Sequence, residues 1–395
     1  MKLKFTWLSA LLTVFALLAA CAEPVTPPTP EPPPGPEMPV VVLPDLEPGV
    51  WTTFSPESEI CSDGSPYSYY VYPGTVNKVV IDFEGGGACW NAATCGEGSL
   101  TYQPNIASSS SPDYRETVPS GIYDKANPDN PVGDWYHVFV SYCTADIHLG
   151  DSVETYATAD GERTVNHSGQ SNVGAVLDWV ESEFSAPEAV FVTGCSAGAY
   201  GAALYTPRIA GAYPDADVTQ LGDCGAGIIP ETFVTGEDGL NRWNVGATLP
   251  EDVDTTEGVP ATFLADAYVA IGQAYPEVTL AQYNSVLDSV QIRFYALQLG
   301  LDPFDPEAQQ TAADAWVPGL AASLGQIQVG LPGGFSSYTS LLDDNDTLDD
   351  GTAHCVIQRP DFYTLRTSGV LLTDWLDALL NDDAPPTTVV PPTSG

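Results

Sequence analysis

The stretch Ala189 to Gly201 reads A-V-F-V-T-G-C-S-A-G-A-Y-G. A short β-branched and aromatic run feeds a Gly-x-Ser-x-Gly turn (Gly194, Cys195, Ser196, Ala197, Gly198), and a helix start of small residues follows. A chain with this order must send a strand into a sharp turn and directly out into a helix, which is the context of a nucleophile elbow. Small residues on either side of Ser196 let the backbone turn tightly enough to hold the hydroxyl at the tip, where a base and an incoming carbonyl both reach it. The bland reading is a structural turn in a small-residue loop, and the strand before and helix after weigh against it. Cys195 as the nucleophile fits poorly, because the elbow puts the next residue at its tip.

A second glycine cluster strengthens this reading. Val79 to Phe83 is a buried-strand run ending in Glu84-Gly85-Gly86-Gly87-Ala88-Cys89-Trp90-Asn91. An oxyanion hole in such a fold combines the amide after the nucleophile with an amide from a glycine-rich loop after an earlier strand, so Gly86, Gly87 and Ala197 are the candidates. A phosphate loop is disfavoured, since no G-K-[ST] follows and the G-x-G-x-x-G spacing is missing.

The remaining pattern is that of an α/β chain. Tyr69 to Tyr72, Val79 to Phe83, Val138 to Tyr142 and Ala189 to Thr193 read as strands, and Leu221 to Ile229 as the next strand end. Gly169 to Phe184 carries Val173, Val176, Leu177 and Val180 at helical spacing. Strand, helix, strand, elbow, helix predicts an α/β-hydrolase-like, doubly wound and mostly parallel sheet. Residues 237–330 are rich in Ala and Gln with few strand signals, which predicts a helical cap inserted in one α/β domain spanning 48–383. No internal repeat is visible.

Residues 1–21 read as an export signal: Lys2 and Lys4, an apolar run from Phe5 to Ala20, then Cys21. Leu18-Ala19-Ala20-Cys21 has the form of a bacterial lipobox, which predicts cleavage before Cys21, lipidation of that residue and an extracytoplasmic protein held at a bacterial membrane, outer membrane or cell surface. A membrane span is the competing reading; the apolar run stops at the cysteine, near the lower length for a span. Residues 22–47 are rich in Pro and Glu and predict a semi-rigid tether, and 384–395 predict a disordered tail. Eleven Lys and Arg against 52 Asp and Glu give a net charge of -41, which argues against nucleic acid and against adhesion to anionic lipid. With 395 residues and 44% apolar content, the chain is long enough to bury one large core.

Export favours disulfides, and the odd number of cysteines left when Cys21 is set aside from the eight leaves at least one outside a disulfide. None has the C-x-x-C spacing of a zinc ligand pair, so neither a metal nor an organic cofactor is expected. The run Asp343 to Asp350 is acidic but lacks an EF-hand's full ligand spacing, and a solvated loop is favoured over a calcium site.

A serine nucleophile needs an imidazole to take its proton, and the imidazole needs a carboxylate to orient it and stabilise its charge. Of four histidines, only His354 lies downstream of Ser196, as the fold's chain order of Ser, acid, His requires. His137 sits in a strand run and reads as structural; His148 and His167 fall in loop-like sequence and are available to line a pocket. Order alone leaves Asp223, Asp266, Asp288 and the Asp343 to Asp350 cluster open as the acid.

The blocks E-G-G-G-A-C-W-N-A-A-T-C (Glu84 to Cys95), N-P-V-G-D-W-Y-H-V-F-V-S-Y-C (Asn130 to Cys143), G-C-S-A-G (Gly194 to Gly198), N-S-V-L-D-S-V-Q (Asn284 to Gln291) and A-H-C (Ala353 to Cys355) together resemble the pectin acetylesterase and Notum family of serine carboxylesterases. The blocks occur in the family's order and, with Cys61, extend to Cys355, covering nearly the whole globular part. The resemblance implies a Ser196, Asp288, His354 triad, selects Asp288 among the open acids, and leaves Asp223 to a turn. It implies hydrolysis of carboxylic esters, since members of that family remove acetyl groups from pectin or a fatty acyl group from a signalling protein; acetyl esters on polysaccharide are the expected substrates and an acetylated glycan the expected partner. Ala88 stands where the plant pattern G-G-G-W-C has its tryptophan, which leaves the acyl pocket's shape open. The acidic surface disfavours a highly de-esterified, polyanionic pectin. Cys89 with Cys95 are placed to close a small loop behind the glycines, and Cys61 with Cys143 to tie an N-terminal strand to a central one, although connectivity is not fixed by sequence. Rival readings are a lipase, depolymerase or peptidase with the same triad, and a surface glycan-binding protein that has kept the fold without catalysis.

Overall fold

In the parallel part of the sheet, side chains alternate between two cores, as a two-residue repeat requires. Val79, Ile81 and Phe83 of β3 (Lys78–Phe83) enter one, and Val80 enters the other; in β7 (Ala189–Cys195), Val190 and Val192 separate from Ala189 and Phe191 in the same way. Every residue of β7 is buried, so the strand that carries the elbow is held on both faces.

In the computed structural model the described residues are 44–106, 119–234, 239–256, 258–341, 354–381 and 387–390, all within the unit covering residues 41–395. Residues 1–21, most of 22–47, and Asp343 to Asp350 lie outside them. Nine strands form one sheet. β1 (Thr52–Phe54) and β2 (Tyr69–Tyr72) pair antiparallel, and β2 pairs antiparallel with β4 (Tyr136–Val140). From β4 the pairing is parallel through β3, β7, β8 (Asp217–Asp223), β9 (Thr279–Ser285) and β10 (Phe335–Ser340). This is the expected α/β-hydrolase-like, mostly parallel sheet.

Helix α1 (Gly169–Glu183) buries Val173, Val176, Leu177 and Val180, the apolar stripe read from the sequence. Helix α2 (Ala197–Ala212) leaves the elbow, and its small residues let it pack closely against β7 and β8. Outside the sheet, β5 (Ser152–Thr158) and β6 (Gly161–His167) form an antiparallel hairpin, so His167 lies in a strand rather than a loop.

The expected cap over 237–330 is corrected. Thr279–Ser285 is a strand of the main sheet, preceded by α3 (Phe263–Ala274) and followed by α4 (Ser289–Gln298) and α5 (Pro306–Gly330). β9 carries Gln282, Asn284 and Ser285 as buried side chains, so its sequence lacks the apolar alternation that marks a strand. Farther along, β11 (Arg366–Thr367) and β12 (Val370–Leu371) form a small hairpin, and α6 (Leu372–Leu380) covers the second core. Within the tail expected to be disordered, β13 (Thr388–Val389) pairs parallel with β10 and buries Val389. Among the described residues no helix is long and apolar enough to cross a membrane.

Candidate active site

The backbone at Ser196 has φ 56° and ψ -121°, a conformation that costs a side-chain-bearing residue about 1–3 kcal/mol and persists only where its surroundings enforce it. They do so here. Ser196 N donates to Asp223 O at 2.8 Å and Ala199 N to Ser196 O at 3.0 Å. A Cβ on Gly194 would come to 2.5 Å from Gly198 O, and one on Gly198 would collide with Phe83 O. The two glycines of the motif are therefore required by close approach to β3, and the turn projects Ser196 into the cleft above the sheet.

Asp288 is the N-cap of α4 and is fully buried. Its Oδ1 accepts from Val290 N at 3.0 Å and Gln291 N at 2.9 Å, and its Oδ2 from Gln291 Nε2 at 3.1 Å. The same Oδ2 meets His354 Nδ1 at 2.8 Å. Burial works to raise this carboxyl's pKa, but the His354 imidazole and the Gln291 donors outweigh it and hold Asp288 below the usual carboxylate value. The carboxylate thus stays ionised and fixes Nδ1–H, which leaves Nε2 as the accepting nitrogen.

His354 is tied to the elbow through its neighbour. Cys355, at φ 66°, forms a disulfide with Cys195, so the residue after His354 is bonded to the residue before Ser196. Ile357 N donates to Asp223 Oδ2 at 2.9 Å and secures the same turn from below. This pairing was not foreseen in the sequence, although the adjacency of Cys195 to Ser196 and of Cys355 to His354 carried the signal. Cys61 pairs with Cys143 and Cys89 with Cys95; Cys224 is buried and forms no disulfide.

Gly86 and Gly87 follow β3 and line the cleft with Ser196 and His354. Gly87 has φ +73°, and a Cβ there would collide with Thr101 O, so the loop accepts only glycine. Ala88 N donates to Thr101 O at 2.9 Å, and Tyr142 Oη donates to Gly87 O at 3.0 Å, which fixes the loop's backbone at Gly87 and Ala88. Ala197, at the first turn of α2, lines an inner cavity with Ser196, Gly87 and His354.

Two spaces meet at Ser196. One, of about 80 Å³, is walled by Trp90, Ile147, Phe233, Trp243, Phe263 and Phe294. The other, of about 490 Å³, opens toward Ser120, Tyr123, Gln358 and Arg359. Trp90 reaches the apolar side from two positions beyond Ala88.

The other titratable groups sort differently. Asp223 ends β8 and is buried beside His354, with burial the largest influence on its carboxyl, which is pushed up to about 6. His148 and His167, expected to be available to the pocket, are buried away from it. His148 Nε2 donates to Glu84 O at 2.8 Å, while His167 Nδ1 donates to Thr144 O at 3.0 Å and its Nε2 accepts from Tyr156 Oη at 2.9 Å. Burial pushes both down to about 4, so both are neutral props for the walls. His137 in β4 bonds Asp82 Oδ2 at 3.0 Å. Cys21 lies outside the described residues.

The sheet order and the strand-turn-helix at Ser196 define the class of protein first: an α/β-hydrolase-like fold with its sharp turn at the centre of the sheet. Residues 51–244 match the family model described as Pectinacetylesterase. Pectin acetylesterase 11 of Arabidopsis thaliana is 28% identical over 185 residues, 45% of this chain and 44% of the relative, so the match spans less than half the length of that curated relative. The structure of the Wnt deacylase Notum from Drosophila superposes with a TM-score of 0.58 at 15% identity, covering 87% of this chain and 96% of that one, and shows the shared fold. The chain is thus similar in sequence to the pectin acetylesterases over residues 51–244 and shares its fold with the Notum structure.

Proposed function

We propose that this chain is a hydrolase of carboxylic esters using Ser196, His354 and Asp288. The observation that carries the reading is the 2.8 Å bond from His354 Nδ1 to a buried, ionised Asp288, with the Ser196 turn in the same cleft. Ser196 Oγ attacks the ester carbonyl while His354 Nε2 takes its proton; Asp288 holds the ring and balances the imidazolium. The oxyanion is met by amides of Gly86, Gly87 and Ala197. His354 returns the proton to the leaving alcohol, and water then hydrolyses the acyl-enzyme by the same steps in reverse roles.

The two spaces at Ser196 support an assignment of substrate halves. A water needs roughly 10–15 Å³ of such volume. The apolar cavity of about 80 Å³ therefore suits an acyl group of a few carbons, with acetyl the expected case. The larger opening, with Ser120, Tyr123, Gln358 and Arg359, suits a polar alcohol such as a sugar residue of an acetylated glycan. In a series of p-nitrophenyl esters, kcat/KM should be highest for the short acyl groups and fall for long chains; a rise with chain length would reverse the assignment. Ser196→Ala should fold normally and lose hydrolysis by roughly a thousandfold or more. Retained hydrolysis would remove Ser196 from the mechanism.

The disulfides fit an oxidising, extracytoplasmic setting. Within it, lipidation at Cys21 and a tether over 22–47 would hold the enzyme at a membrane while leaving the cleft's chemistry untouched. Mass spectrometry of the native N-terminus should find an acylated Cys21; a mature, unlipidated chain starting elsewhere rejects the anchor.

A further inference from the structure

Cys224 is not used by the proposed chemistry, yet its position is not incidental. It follows β8 directly, its N–H donates to Tyr283 O at 2.8 Å, and the residue is fully buried. Its Sγ, a carboxylate oxygen of Asp288 and a ring nitrogen of His354 all lie within 4.8 Å of one another. One thiol, one carboxylate and one imidazole form the kind of three-ligand set that binds a thiophilic divalent cation and leaves a fourth position for water. A second cluster, Cys195, His354 and Cys355, has the same spacing, but its two sulfurs are joined in a disulfide and offer no thiolate. The set at Cys224 is reachable, because Cys224 and His354 both line the apolar cavity beside Ser196.

We infer that Cys224, Asp288 and His354 form an inhibitory site for a soft divalent cation, zinc or cadmium, which on binding takes the acid and base out of service. Binding replaces the Cys224 thiol proton with a sulfur–metal bond and releases that proton to solvent; His354 keeps one proton and gives the metal its other nitrogen's lone pair; nothing is oxidised or reduced. If the metal takes Nδ1, the remaining proton sits on Nε2, which then cannot accept from Ser196. If it takes Nε2, the base is blocked outright. Zinc-ligand distances of about 2.0–2.3 Å require the three donors to draw together by small side-chain rotations, and the Asp288 to His354 bond is already short. The metal here is a regulator of the site and not a resident cofactor.

Binding stands without the esterase reading, whereas its inhibitory effect rests on that reading, so the two are tested apart. Full-length Ser196→Ala protein with its disulfides intact, titrated with cadmium, should develop the ultraviolet thiolate-to-cadmium charge-transfer band, and the same protein carrying Cys224→Ser should not. Zinc X-ray absorption on Ser196→Ala should show one sulfur at about 2.3 Å and nitrogen or oxygen at about 2.0–2.1 Å. No band, or a shell of nitrogen and oxygen alone, overturns the site, and the zinc measurement decides the matter even if Cys224→Ser fails to fold. With active protein, zinc should inhibit ester hydrolysis reversibly by chelator, and Cys224→Ser should raise the inhibition constant by about tenfold or more relative to its own uninhibited rate. An unchanged inhibition constant in a folded Cys224→Ser overturns the inhibitory role.

Discussion

Two buried aspartates lie beside His354, and their surroundings shift their pKa values in opposite directions. Asp288 accepts hydrogen bonds from two backbone amides, the Gln291 side chain and the imidazole, and is held ionised. Asp223 accepts from Ile357 N, with Cys224 and Val356 as further donors, but burial outweighs them and holds it up at about 6. Asp288→Asn should therefore cut kcat by a thousandfold or more, because an amide favours the wrong imidazole tautomer; Asp223→Asn should cost far less. The reverse order in two folded variants would move the acid to Asp223. Stability adds a pH signature. Because the folded-state pKa of Asp223 is raised above the usual carboxylate value, its contribution is fully present below that ordinary value and is lost as pH rises through about 6. Chemical denaturation of wild type against Asp223→Asn should show the wild type losing ground by on the order of 2–3 kcal/mol between pH 4 and 7. A pH-independent difference would contradict the assignment. Of the residues proposed for the site, Ser196, Gly86, Gly87 and Ala197 are legible in the sequence because the local backbone demands small residues there. Asp288 was not legible from order alone, since what singles it out is a cap at the start of a helix and a partner 66 positions away, neither of which leaves a periodic trace.

The elements divide in the same way. β3, β7 and α1 announce themselves because burial on two faces, or on one helical stripe, needs apolar residues at fixed spacing. β9 and β10 were hidden inside a stretch read as helical or left unassigned, because T-L-A-Q-Y-N-S and F-S-S-Y-T-S are buried yet polar. Such strands are held by ladder and side-chain hydrogen bonds, as where Tyr283 and Ser340 hydroxyls meet at 2.6 Å, and hydropathy does not report them. The Cys195 to Cys355 disulfide joins two elements that carry the proposed nucleophile and base across 160 residues. Chain-entropy closure of so long a loop is worth about 5 kcal/mol at most. A Cys195→Ala, Cys355→Ala double variant should melt at a lower temperature, and where it remains folded it should lose hydrolysis, because His354 loses its tie to the elbow. A folded double variant with wild-type kcat/KM would show that the Asp288 bond alone places the imidazole.

At the scale of the whole molecule, a net charge of -41 sets a standing self-repulsion. Salt shortens its range to about 3 Å at 1 M, so the melting temperature should rise from low to molar sodium chloride, with sodium sulfate adding a further increment through surface exclusion. A melting temperature that falls with sodium chloride would mean that paired charges outweigh the repulsion. Eleven Lys and Arg cannot neutralise 52 acidic side chains; among the described residues Arg208 bridges Asp178 and Glu181 on the surface, Arg242 meets Glu154 and Arg359 meets Asp361.

The short strand Thr388–Val389 lies against the outer side of β10, with Ser337 N donating to Thr387 O at 2.9 Å. It pairs with Ser337 and Tyr338 in the middle of β10, and stripping it away would leave that edge an unbroken row of amides and carbonyls, a template on which a neighbouring molecule could lay its own chain. The segment after the last helix thus works as a selvedge, the finished border that keeps a woven cloth from unravelling or catching on the next. Protein ending at Asn381 should keep its secondary structure in dilute solution but form β-rich aggregates as concentration rises, detectable by light scattering and thioflavin fluorescence. Clear, monomeric solutions at high concentration would show that repulsion between acidic surfaces guards that border unaided.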